Sequence, residues 1–136
     1  MDTPLASFPK PTPKVRPIAH GLTEPPGGWD HNDNVPYAVL HCQRTNDLAA
    51  EGKSGTGIRT ALVLRDWGMS EEMTLGIMWQ HWVPRCEYVW DESELKSKVA
   101  TAYKLAENDP GCRTPLYRNA KAQHRFEETH REFHND

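Results

Sequence analysis

"DESELKSKVATAYKLAEN", residues Asp91 to Asn108, decides the class of fold. Asp91 can cap the first free amides of a helix, and Glu94, three residues on, fits the reciprocal position of a capping-box variant. Leu95, Val99, Ala102, Tyr103 and Ala106 fall on one stripe at helical spacing. Asn108, Pro110 and Gly111 then supply the stop. The apolar stripe calls for partner helices.

The sequence upstream supplies them. Ser70 is placed to cap a helix whose first turn carries Glu71 and Glu72, where carboxylates favour the positive end of the helix dipole. Met73, Leu75, Ile77, Met78, Trp79 and Trp82 make that helix apolar on more than one face, which predicts the most buried element. Pro84 ends it, because proline breaks the hydrogen-bond ladder and disfavours helix at Val83. Before it, Ile58, Ala61, Leu62, Leu64 and Arg65 predict a helix capped at Thr56 and stopped at Gly68. Earlier still, Pro36 suits a first helical turn, and Tyr37, Leu40, Cys42 to Arg44 and Leu48 predict a helix running to about Ala50, with Gly52 at its C-cap. A short strand is conceivable only at "EYVW", residues 87–90.

These readings give an all-α fold: a compact bundle of about four short helices over residues 35–112. Residues 1–34 hold seven of the chain's 11 prolines ahead of Asp30 and predict a flexible, extended arm. Trp29, in that arm, is expected to dock either on the core or on a partner. Residues 113–136 predict a polar helical tail with a thin stripe of Tyr117, Ala120, His124 and Glu127, which docks on a partner or frays.

Charge limits the function. The net charge is -3, and residues 35–112 carry eight Lys or Arg against eleven Asp or Glu, so nucleic acid would have to be held by a local patch. Three cysteines without a CxxC pair, and no apolar N-terminal segment, predict a reduced cytoplasmic setting. No run approaches the roughly 18 apolar residues of a membrane span.

Gly52-Lys53-Ser54 spells the end of a phosphate-binding P-loop, but that motif needs a glycine five residues earlier, after a strand. Asp47 stands there, so nucleotide hydrolysis is not expected. A turn with free amides beside Lys53 and Arg59 could still hold one anion, although a plain interhelical turn is the simpler reading. His41, Cys42, His81 and Cys86 lack the paired spacing of a zinc site, and no nucleophile-base set stands out, so no metal, cofactor or catalytic residue is expected. Trp67, Trp79, Trp82, Trp90 and Tyr103 lie within one short span; core filling is favoured over a stacking platform for single strands.

The run from Glu51 to Gly111 resembles the helical module that follows the primase-polymerase domain in phage primase and primase-helicase proteins. "LAAEG", "RDWGMSEE", "HWVPRC", Trp90, "ELKSKV", "AY" and "NDPG" carry the likeness, over about residues 35–112. The module usually has an asparagine after His-Trp and two prolines before the later tryptophan; here Val83 and "EYVW" stand in those places. The resemblance implies a non-catalytic replication accessory that touches a helicase, a polymerase or DNA. Lys53, Arg59, Arg65, His81, Arg85, Lys96 and Lys98 are the expected contacts. The alternative is a phage structural or adaptor protein whose arm and tail are ordered by other subunits of an assembly.

Overall fold

The computed structural model describes residues 22–51 and 54–134, and within them five α-helices: α1 (Val35–Arg44), α2 (Ser54–Asp66), α3 (Glu71–Ile77), α4 (Glu92–Leu105) and α5 (Pro115–His134). A π-helical turn (Met78–Trp82) and a 3-10 turn (Val83–Arg85) extend α3. No strand occurs among the described residues; "EYVW" is irregular, and the amides of Glu87 and Tyr88 both donate to the Ala49 carbonyl (3.1 and 3.3 Å).

The stripe read from "DESELKSKVATAYKLAEN" is the buried face of α4: Leu95, Val99 and Ala102 are fully enclosed and Tyr103 is half-buried. Asp91 caps it, accepting from the Ser93 amide at 3.1 Å. The reciprocal half of the expected capping box is not made, because the Glu94 carboxylate accepts the Tyr88 hydroxyl instead (2.5 Å). α4 packs chiefly on α2. Trp90 reaches α2 at Gly57, where an added Cβ would lie 3.3 Å from the ring.

α2 is the central helix. Thr56, Gly57, Thr60, Ala61, Leu64 and Asp66 are buried along it. It starts at Ser54, so Thr56 lies inside the first turn and is not the expected cap. It stops as expected: the Met69 amide donates to Leu64 O (3.0 Å) and the Gly68 amide to Arg65 O (2.8 Å), with Gly68 at φ +83°, the paired bonds of a Schellman stop.

α1 differs from its sequence reading in length and in orientation. It ends at Arg44, and Thr45 is extended. Thr45 Oγ1 takes the Asp47 amide (3.1 Å), a local side-chain bond that competes with helix. The buried face of α1 is Ala38 and Cys42, whereas Tyr37 and Leu40 are exposed. Arg85 donates to the carbonyls of Cys42 and Thr45 (2.8 and 2.9 Å), so an arginine from the 3-10 turn satisfies the end of α1.

Nor is α3 the most buried element. Thr74, Ile77, Met78 and Trp82 face inward, but Met73 and Trp79 stand out to solvent. Ser70 caps α3 as expected, its Oγ accepting the Met73 amide (3.2 Å). Pro84 offers no amide to the ladder, and the Val83 amide bonds Met78 O, five residues back, which makes the π turn. Trp82 is fully buried, and its indole N–H donates to Asp47 O (3.0 Å). It tilts against Trp90 at 5.8 Å, and Tyr88 meets Trp90 edge-on at 5.0 Å. Such ring pairs are worth about 0.5–1.5 kcal/mol each beyond their buried area.

Residues 1–21 of the proline-rich arm lie outside the described residues; residues 22–34 are packed on the bundle. Pro25 is buried against Gly68 and Gly111. Trp29 lies 6.4 Å from the Tyr103 ring, so its docking is on the core. Asp30 grips the start of α3, accepting the Ser70 amide (2.6 Å) and hydroxyl (2.7 Å). Residues 108–114 close the other side: the amides of Gly111 and Arg113 donate to the carbonyls of Arg65 and Asp66 (3.0 and 2.8 Å). Thr114 then caps α5, accepting the Tyr117 amide at 3.2 Å ahead of Pro115 at the first helical position.

Candidate interaction surface

The expected contact residues are not gathered into one patch. Lys53, like Gly52, lies outside the described residues. Arg59 is bound through both Nε and Nη2 to the two carboxylate oxygens of Asp47, each at 2.9 Å, and this bond raises its pKa. The anion site imagined at the start of α2 therefore meets an arginine already paired in the bidentate geometry that carboxylates favour. Arg65, at the other end of α2, donates to Asn108 O (2.7 Å) and lies 5.9 Å over the Tyr103 ring. Arg85 is the clamp on α1 already described. His81 Nδ1 receives Gln43 Nε2 at 3.3 Å. Three of the expected arginine contacts thus serve the protein's own acceptors.

The two lysines on α4 separate as residues two apart on a helix must. Lys98 packs toward α2, its Cβ 3.7 Å from the position a Cβ would take at Gly57. Lys96 lines a cleft of about 340 Å³ with Glu71, Glu72, Leu75 and Val99. Neither lysine has an ion pair among the described residues. The facing Glu71 and Glu72 nevertheless make the Lys96 cleft unfavourable to an anion.

A second cleft, of about 220 Å³, is formed by residues the sequence reading did not select: Tyr37, Leu40, His41, Arg44, Trp67 and Arg113. Four of them stand at i, i+3, i+4 and i+7 on α1, a spacing that equally describes a buried stripe. That ambiguity is why Tyr37 and Leu40 read as core. Tyr37 stacks on Trp67 with ring centres 4.7 Å apart and planes within 9°, and Tyr37 is still 46% exposed. Arg113 Nε lies 3.8 Å from the buried carboxylate of Asp66. Burial and the Arg113 cation hold the His41 pKa below its ordinary value, with Asp47 opposing. The lining carries two arginines and a histidine and no carboxylate.

The aromatic cluster divides accordingly. Trp82 and Trp90 are core; Tyr103 is half-buried, its hydroxyl bonding Met69 O and Thr74 Oγ1. Trp67 faces the second cleft and Trp79 faces solvent.

The thiols do not resemble reactive ones. Burial pushes Cys42 up to about 12 and Cys112 up to about 11, far from the depressed values of nucleophilic cysteines. Among the described residues no three His, Cys, Asp or Glu side chains group as metal donors, and no helix is long and apolar enough to cross a membrane. What the second cleft can do chemically is hold a planar ring and an adjoining anion. No family model, no curated protein and no solved structure matches the chain.

Proposed function

We propose that this chain is a non-catalytic accessory protein of phage DNA replication, built like the helical module that follows a primase-polymerase domain and acting by contact with a helicase, a polymerase or DNA. One observation supports the reading. Two of the sequence fragments that carry the resemblance are bonded to each other in the fold, and two more lie next to one another. Arg65 and Asp66 of "RDWGMSEE" bind Asn108 and Gly111 of "NDPG". Trp82 of "HWVPRC" binds Asp47, just before "LAAEG", and Glu87, just after "HWVPRC", binds Ala49 of "LAAEG". Fragments far apart in sequence thus share one frame, which is what the reading requires of them.

The test is primer synthesis on a single-stranded template by the primase-polymerase and helicase of the same genome, with and without the full-length protein. A dose-dependent change in primer yield, with co-elution of the protein and one enzyme or the template, is expected. Unchanged yield together with no co-elution sinks the reading.

A second reading, an adaptor ordered within an assembly, has its own support in α5, where Leu116 is 45% and Phe126 is 58% exposed. It predicts that the protein co-sediments with assembled particles and that Phe126→Ser releases it.

A further inference from the structure

We infer that the cleft between α1, Trp67 and Arg113 binds single-stranded nucleic acid, one base stacking on the Tyr37–Trp67 pair and the adjoining phosphates lying on Arg44 and Arg113. This rests on the reading of the protein as a replication accessory and names the surface that would touch the strand.

Three features of the cleft set it apart from the rest of the molecule. The first is that its cations are only lightly held by the fold. The carbonyls at the end of α1 are already served, those of Cys42 and Thr45 by Arg85 and that of His41 by the Thr45 amide (2.9 Å). Arg44 is thereby freed from the capping role that its place in the last turn would give it, and it has no ion pair among the described residues. Arg113 is held only through Nε, at 3.8 Å from Asp66, and its side chain is 47% exposed. Its terminal nitrogens point no bond at Asp66, whose carboxylate is shared with Asn108 Nδ2 (3.3 and 3.5 Å).

The second feature is the flat stack itself. Two rings at 4.7 Å and 9° form a parallel pair that a third planar ring can extend, as nucleobases do on aromatic side chains beside basic residues. An acidic peptide could use the arginines but would leave the stack without a partner. The third is local sign. The lining carries no carboxylate, whereas the cleft beside Lys96 has Glu71 and Glu72. In a chain of net charge -3, a place of this sign is where a phosphate chain would be tolerated.

The experiment is anisotropy titration of a fluorescein-labelled 15-nucleotide oligothymidylate with the full-length protein at low ionic strength. Binding is expected to weaken with salt at a logarithmic slope of about -1.4, the value for two phosphates on a single strand. Arg44→Ala with Arg113→Ala should remove most of that slope and at least tenfold of the affinity. Tyr37→Leu should cost roughly five- to hundredfold with the slope unchanged, and Tyr37→Phe should bind like the parent. An abasic oligonucleotide should lose the Tyr37 effect and keep the arginine effect. Equal competition by polyglutamate and oligothymidylate would overturn the proposal in favour of an acidic protein partner. Loss of binding in Lys96→Ala with Lys98→Ala, but not in the arginine pair, would overturn this site while leaving the accessory reading standing. Failure of the parent to bind would also overturn it, and the primer-synthesis assay would then judge the wider reading alone.

Discussion

Asp30, bonded to Ser70, and Asp66, bonded to Asn108, have environments that give opposite expectations. Asp30 sits at φ +59°, a conformation that aspartate and asparagine tolerate better than most residues, and both its oxygens accept from Ser70. Asp30→Asn keeps the backbone preference and one acceptor; Asp30→Ala keeps neither. The expected losses in urea denaturation are about 1 kcal/mol for the first and about 2–3 kcal/mol for the second. Asp66 is buried at the end of α2, and burial raises its pKa above its ordinary value of 3.8 despite bonds from Asn108 and Cys112 and the Arg113 and Arg65 charges. A raised carboxyl pKa means that the folded state binds more protons than the unfolded state between the two values. Stability contributed by this group therefore falls as pH rises from 3.8 through the raised pKa, and stays lower above it. Asp66→Asn should remove that negative slope, seen as the difference between wild-type and variant stability from pH 3.5 to 7. Parallel curves for the two proteins would mean that Asp66 has an ordinary pKa in the fold.

At the level of helices, two glycines inside helical segments should respond to alanine with opposite signs. Gly76, in α3, is exposed with nothing within 4 Å of an added Cβ, so Gly76→Ala should stabilise by about 0.5–1 kcal/mol through helix propensity alone. Gly57, in α2, would place its Cβ 3.3 Å from the Trp90 ring, which is 4% exposed and wedged between Trp82 and Tyr88. That ring cannot yield without disturbing its neighbours, so Gly57→Ala should destabilise by about 1–3 kcal/mol despite the better propensity. Thermal unfolding followed by circular dichroism separates the two. The elements themselves were legible wherever local chemistry decided them: the Asp91 and Ser70 caps, the Gly68 stop and the stripe of α4. The end of α1 was not, because it is fixed by Arg85 from 40 residues away in sequence and by the Asp47–Thr45 bond, whereas "NDLAAE" has helical propensity. Which face of α1 points inward was hidden for a related reason: Ala38 and Cys42 are small, and small residues signal burial only when the helix they approach is known.

Across the molecule, the pieces read from sequence as arm and tail are joined by one buried side chain. Asp109 accepts the Leu22 amide through Oδ1 (3.1 Å) and the Tyr117 hydroxyl through Oδ2 (3.0 Å), tying residues 22–34 and the first turn of α5 to the same loop. Proline content hid the docking of residues 22–34, since a proline-rich segment has no periodic apolar face, and Pro25 is held by the absence of side chains at Gly68 and Gly111. The candidate surface was hidden by the same long-range assembly: Trp67 meets the α1 residues at the end of α2, and Arg113 joins them because the 108–114 loop folds back on α2. Asp109→Ala should therefore loosen both attachments together. The hydrogen bonds lost predict about 1–3 kcal/mol, or tenfold faster amide exchange for each 1.4 kcal/mol, over residues 22–34 and 115–118. The buried amides of α2 and α4 should keep their protection. Burial and Asp109 together push the Tyr117 hydroxyl up to about 12, so ultraviolet titration should find it ionising at lower pH in the variant. Faster exchange in only one of the two segments would show that Asp109 does not couple them, and uniform acceleration through α2 and α4 would show that arm, loop and bundle unfold as a single unit.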